Sequence, residues 1–233
     1  MTPHAARRTP HGFFVTGTDT GVGKTLVACA LLHAFAAADR RVVGMKPVAA
    51  GAEQGAGGLV NADVRLLRGA SSIDAPLALI NPYCFMSPVA PHIAAAQAGV
   101  TIDLTRIAQA FAQLAASADV VIVEGVGGFC VPLNRDENAA DLARQLGLPV
   151  ILVVGLRLGC LNHALLTAQA IRRCGLRLAG WVANRIDPAM AVAEENVRAL
   201  TERLAAPLVA EIEFTAAPDL ARIAALLDLS CLA

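Results

Sequence analysis

Gly17-Thr18-Asp19-Thr20-Gly21-Val22-Gly23-Lys24-Thr25 separates an apolar run, Phe13-Phe14-Val15, from a helical pattern, Leu26-Val27-Ala28-Cys29-Ala30-Leu31-Leu32. Strand, glycine-rich turn, Gly-Lys-Thr and helix, in that order, is the layout of a phosphate-binding loop. Backbone N–H groups must close around a polyphosphate, and glycine lets the backbone come that near and take positive φ. The following helix adds its unpaired N–H groups and its dipole. Lys24 then reads as the mobile positive charge for the β and γ phosphates, and the Thr25 hydroxyl as a magnesium ligand. The spacing departs from the usual form: Gly17 and Gly23 enclose five residues, and Thr18 stands where glycine is usual.

Outward from this loop, strand and helix patterns alternate, which predicts an α/β fold. Strands are expected over 12–16, 41–46, 77–83, 119–124, 150–154, 178–182 and 207–210. Helices are expected over 24–37, 62–69, 93–97, 104–116, 138–146, 163–174, 190–204 and 220–227. Near-continuous Val/Ile/Leu runs belong to parallel strands covered on both faces. The expected architecture is therefore a P-loop NTPase-like three-layer fold, a mainly parallel central sheet with helices on both faces. Residues 51–58 are glycine-rich and read as a mobile loop. Residues 1–11 read as a polar tail without the apolar core of a secretion signal, and 12–233 as a single P-loop α/β domain.

Of the 233 residues, 56% are hydrophobic and 16% charged, so a large core is easily filled. Lys plus Arg equals Asp plus Glu at 19 each, which gives no global pull toward nucleic acid or acidic membranes. The six cysteines form no CxxC pair, which argues against a zinc site and a disulfide scaffold and fits a cytoplasmic protein. The longest apolar stretch, 149–156, is too short to span a bilayer.

Glu124 ends the apolar strand Val120-Val121-Ile122-Val123 and precedes Gly125-Val126-Gly127-Gly128. A carboxylate there is how such folds hold magnesium through a second acid. Lys46, before Pro47, sits at the carboxyl edge of a strand, where open α/β sheets bind ligands. It could stabilise a developing anion. Asp63 reads as a first-turn helix acid. Asn184 is either a plain strand-end residue or an amide that reads a purine edge. Gly159-Cys160-Leu161-Asn162 is either a plain helix start capped by Asn162 or a set of bare N–H groups for a carboxylate. Cys160 reads as packed rather than nucleophilic, and His92 and His163 as structural or surface residues rather than metal ligands.

Together with Lys46-Pro47-Val48-Ala49-Ala50-Gly51, Asn81-Pro82-Tyr83, Ser87-Pro88-Val89-Ala90-Pro91-His92, Gly159-Cys160-Leu161-Asn162-His163 and Gly180-Trp181-Val182-Ala183-Asn184, these motifs closely resemble the dethiobiotin synthetase family. The resemblance runs over about 12–214. It implies ATP- and Mg2+-dependent joining of CO2 to 7,8-diaminononanoate, through an N-carbamate and a carbamic–phosphoric anhydride, in biotin biosynthesis.

The resemblance also implies roles. Thr20 and Lys46 would face the carbamate, with Lys24 on the transferred phosphate and Ala50 beside the substrate. Thr25, Asp63 and Glu124 would hold magnesium. Gly21, Val22, Gly23, Leu26, Gly125, Val126, Gly127, Asn184, Arg185, Glu213, Phe214 and Thr215 would lie around the nucleotide. Gly159, Cys160, Leu161 and Asn162 would bind the substrate carboxylate from the neighbouring subunit of a homodimer. The chain departs from relatives at Gly21, where some have an acid, at Ala50, where some have serine, and at Glu213, where proline is usual. Two other classes share features of this reading. A nucleotide-switched partition ATPase carries a second lysine near the start of the loop, where this chain has Asp19 and Thr20. A cobyrinate-type amidating synthetase needs a glutaminase domain for which 233 residues leave no room.

Overall fold

The computed structural model describes residues 11–232. The expected tail therefore lies outside the described residues, except that His11 opens the first strand. In chain order, β1 (His11–Gly17) leads through the glycine-rich loop into α1 (Lys24–Ala37), and β2 (Val42–Met45) is followed by β3 (Val48–Ala50), β4 (Glu53–Gly55) and β5 (Gly58–Val60). Then come α2 (Ala62–Ala70), α3 (Leu77–Ile80), β6 (Tyr83–Phe85), α4 (Pro91–Gln97), α5 (Leu104–Ser117), β7 (Val120–Glu124) and α6 (Ala139–Leu146). Strand and helix alternate from there: β8 (Val150–Leu156), α7 (Cys160–Arg173), β9 (Leu178–Arg185), α8 (Ala193–Arg203), β10 (Leu208–Ile212) and α9 (Leu220–Ala224).

Six strands form the central sheet in the order β10-β9-β8-β1-β7-β2, and every neighbouring pair is parallel. Every residue of β7 and β8 is buried, as their unbroken apolar runs require. The two faces have separate cores. Phe14, Val121, Val123, Leu152 and Val154 pack with residues of α5, α6, α7 and α8. Their sequence neighbours Phe13, Val15, Val120, Ile122, Ile151 and Val153 face the other way, onto α1, α2 and α9. That alternation is the period-two pleat of a strand, and it builds the three layers.

Chain direction away from β1 reverses at β1 itself: β7 and β2 lie on one side, β8, β9 and β10 on the other. The carboxyl ends of β1, β2 and β7 thus converge at a topological switch point, where such sheets take ligands. Register puts Glu124 beside Val15, two residues before Gly17.

Four expectations need correction. Residues 77–83 are not one strand: Leu77–Ile80 is a helical turn, and the strand begins at Tyr83. A short apolar run carries no decisive period, and the chain after Pro47 offers β6 a separate partner, β3. Residues 51–58 are not a plain loop: β4 and β5 pair as an antiparallel hairpin, with Gly58 at φ 115°. Helix α7 begins at Cys160, and Asn162 is not its cap. Gly159 holds that position at φ 93° with no side-chain cap, and buried Cys160 draws the first turn inward. Helix α8 begins at Ala193 rather than 190, after Val192 in the left-handed region.

Candidate active site

The glycine-rich loop closes over the end of β1. Gly23 sits at φ 94°, and a Cβ there would collide with the amide nitrogen of Asn184. That amide donates to the Val22 carbonyl at 2.8 Å, so β9 braces the loop from two strands away. Lys24 lies buried, its Nζ donating to the Asp19 carbonyl at 2.8 Å.

Three chain segments bring the acids and the second lysine together. Lys46 follows the last residue of β2, and its N–H donates to the Ile80 carbonyl at 2.8 Å instead of continuing the sheet. Asn81 fixes the other side of this peptide, donating to the Lys46 carbonyl at 2.6 Å and to the Tyr83 carbonyl at 2.9 Å. Asn61 caps α2, accepting from the N–H groups of Asp63 and Val64, and its amide donates to the Ala50 carbonyl at 3.2 Å. Asp63 is thereby set against β3. Lys46 Nζ then donates to Glu124 Oε1 at 2.5 Å, to Asp63 Oδ2 at 2.9 Å and to the Gly125 carbonyl at 3.3 Å. The Thr25 hydroxyl donates to the same Glu124 Oε1 at 2.9 Å, while Glu124 Oε2 is buried without a hydrogen-bond partner.

Charge balance follows from this packing. Burial pushes the Lys46 ammonium down, but Glu124 and then Asp63 outweigh it and hold Lys46 above its usual value. Burial pushes Glu124 up, against the pull of Lys46. Burial likewise pushes Asp63 up, and Lys46 overcomes it, leaving that acid below the ordinary range. Lys24 has weaker support: burial and the nearby Lys46 ammonium lower it to about 8.

A cleft of about 730 Å³ opens over these groups. Thr20, Gly21, Gly23, Lys24, Thr25, Lys46, Ala50, Asp63, Glu124, Val126 and Gly127 line it, so the residues predicted for the phosphates, the magnesium and the carbamate meet in one place. Pro88, Val89, Ala90 and Val131 complete its wall; the sequence named Ser87 to His92 only among the motifs of the resemblance and gave it no place at the site. Val22 and Leu26 instead pack into the core beneath. Arg185, Glu213 and Phe214 border a second, smaller cavity with Leu156, Asp187, Pro188, Met190 and Ala193. There Arg185 pairs with Glu211 at 2.6 Å, Glu194 at 3.0 Å and Glu213 at 3.4 Å. Thr215 is exposed, its hydroxyl bonded to the Ala217 carbonyl. Gly159, Cys160, Leu161 and Asn162 do not line the cleft of their own chain.

One residue that the sequence left unmarked touches the loop. Arg157, just after β8, donates to Asp19 Oδ2 at 2.5 Å across 138 positions of sequence. No local pattern reveals such a pair.

The parallel sheet, the loop on α1 and the acid at the end of β7 define a P-loop nucleotide-binding protein. Residues 11–221 match the family model described as an AAA domain. The septum site-determining protein MinD complexed with Mg-ADP from Pyrococcus horikoshii OT3 superposes with a TM-score of 0.53 over 86% of this chain and 81% of that one, at 16% identity. That likeness is one of fold. Closer in sequence is the ATP-dependent dethiobiotin synthetase BioD of Aromatoleum aromaticum, 60% identical over 220 residues, which are 94% of this chain and 98% of the relative. The same enzyme of Nitrosospira multiformis is 58% identical over 94% of this chain and 95% of its own length. The chain belongs to the dethiobiotin synthetase family of ATP-dependent ligases. Among the described residues no helix is long and apolar enough to cross a membrane, and all six cysteines are free thiols.

Proposed function

We propose that the cleft carboxylates 7,8-diaminononanoate with CO2 and closes its ureido ring at the expense of ATP, giving dethiobiotin, ADP and phosphate. The observation that supports this reading is the buried Lys46 ammonium, 4% exposed, in the cleft that the phosphate loop shares with Ala50 and Pro88 to Ala90.

One amine of the substrate adds to CO2, forming an N–C bond and losing its proton. The carbamate oxygen then attacks the γ-phosphorus, and the bond to the ADP oxygen breaks. The second amine attacks the carbamoyl carbon and expels phosphate. Lys46 neutralises the carbamate and orients its oxygen, with Thr20 beside it. Lys24 turns from the Asp19 carbonyl to the γ-phosphate, whose growing charge it offsets. Asn184 and the 213–215 segment take the base.

A divalent cation fits the donor set. The partnerless buried Oε2 of Glu124, the Asp63 carboxylate and the Thr25 hydroxyl are hard oxygen ligands, as magnesium requires. Bound there, Mg2+ would neutralise phosphate charge. The Gly159–Asn162 turn, absent from its own cleft, would serve the partner's in a homodimer; Leu158 beside it is 96% exposed and Leu166 56%. Residues 12–233 then act as one P-loop unit, in the cytoplasm.

Phosphate release from MgATP and bicarbonate, with and without 7,8-diaminononanoate, tests the reading in wild type and Lys46→Ala. Phosphate should appear only with the diamine, match ureido product one to one, and fall at least a hundredfold in the variant, on the order expected for loss of a transition-state charge contact. Hydrolysis indifferent to the diamine, with no ring product, would replace this reading with a nucleotide-switched ATPase.

A further inference from the structure

Asp19 is a junction. Its Oδ1 accepts from the Thr20 N–H at 2.7 Å, its carbonyl from Lys24 Nζ at 2.8 Å, and its Oδ2 from Arg157 at 2.5 Å. Two residues of the cleft, Thr20 and Lys24, thus hang on the residue that Arg157 holds. Arg157 in turn begins the tight turn into α7: its carbonyl accepts from the Cys160 N–H at 3.0 Å, and Gly159 supplies the positive φ that the reversal needs. The Thr18 N–H also donates to the Val153 carbonyl of β8 at 3.0 Å. The first half of the phosphate loop and the turn 157–160 are therefore one bonded unit, tied by a backbone contact at its base and an ion pair at its rim.

We infer that Arg157 is a positioning residue that couples the nucleotide loop to the turn 159–162, so that a phosphate in the loop and a carboxylate on the turn strengthen each other's binding. Lys24 is the moving part. When it leaves the Asp19 carbonyl for a phosphate, Asp19 loses one restraint and keeps the other, Arg157. Movement of the loop on nucleotide binding is then passed to Arg157 and to the backbone N–H groups that follow it. An exposed ion pair contributes little stability in itself, since solvent screens it. Its value here lies in the connection. In the homodimer proposed above, on which this inference rests, the turn serves the neighbouring cleft, and the pair links nucleotide in one site to substrate in the other.

The test measures diaminononanoate affinity by calorimetry on the intact protein, with and without a non-hydrolysable ATP analogue and Mg2+. Wild type should bind the diamine at least about fivefold tighter with nucleotide, and reciprocity requires the same factor for nucleotide affinity. In Arg157→Ala and in Asp19→Asn the factor should fall below about twofold, and the double variant should lose no more than either single one. Arg157→Lys should restore part of it. Thermal unfolding followed by the fluorescence of Trp181 separates this from simple loss of structure. Full coupling in folded Arg157→Ala, or none in a wild type that binds both ligands, overturns the inference. A wild type that never binds the diamine overturns instead the function proposed above, and the coupling with it.

Discussion

Lys46 Nζ lies 2.5 Å from Glu124 Oε1, and the two side chains are 5% and 1% exposed. Two charges so deep in protein each give up several kcal/mol of hydration, which their attraction returns only while both are present. The pair also occupies the ends of adjacent strands, β2 and β7, so the sheet itself sets its spacing.

Removing one partner exposes the cost. Lys46→Met leaves Glu124 buried with only Thr25 to bond its carboxylate, and stability should fall by about 3–5 kcal/mol. Adding Glu124→Gln should recover much of that loss, because no buried charge is then left over. Urea unfolding reports both, since Trp181 is the sole tryptophan and fully buried. Additive losses would mean that the two residues are not energetically paired.

Gly23 and Gly21 both have positive φ, at 94° and 74°, but different surroundings. Nothing lies within 4 Å of a Cβ at Gly21, whereas one at Gly23 meets the Asn184 amide. Gly23→Ala should cost roughly 2–3 kcal/mol and abolish nucleotide binding, and Gly21→Ala roughly 1 kcal/mol with binding retained. Calorimetric titration with an ATP analogue ranks the two. Equal effects would show that backbone conformation alone, and not the brace from β9, governs the loop.

Lys24 makes nucleotide affinity depend on pH. With its free-state value at about 8, the lysine is charged below that pH and ready for phosphate. A bound phosphate raises its proton affinity. Affinity should thus be flat below pH 8 and weaken above it, by up to about tenfold per pH unit, with proton uptake on binding. Lys24→Met should bind weakly with this slope removed. A wild-type profile flat to pH 9.5 would contradict the assignment.

Asn81 holds two buried carbonyls with one amide. Asn81→Ala removes both bonds and should cost about 1–3 kcal/mol. It also frees the peptide that carries Lys46, so kcat should fall while the KM for ATP changes less than about twofold. Equal changes in both would place Asn81 on the nucleotide side instead.

The sequence made the loop, Lys46 and Glu124 legible because each is written locally: glycines and Gly-Lys-Thr between a strand and a helix, a lysine before a proline, an acid closing an apolar run. The unbroken Val/Ile/Leu strands gave the parallel sheet for the same reason. What escaped is what distance conceals. Arg157 meets Asp19, and Asn184 braces Val22, only once six strands are in order. Leu77 to Ile80 was misjudged because four apolar residues fit a helical turn as well as a strand. Pro88 to Ala90 stood in a motif of the resemblance without a role; the β3–β6 pairing brings it to the cleft.

That small pairing divides the labour of the cleft. Lys46 stands where the chain leaves the large sheet, and the next strand, β3, runs against β6 in a separate pair that carries Ala50 and leads to Pro88. On the function proposed above, this wall faces the acceptor and can diverge while the nucleotide loop and its acids stay fixed. Redesign for a longer or bulkier diamine should begin in β3, β6 and 87–90, where replacements leave the phosphate loop and its acids untouched.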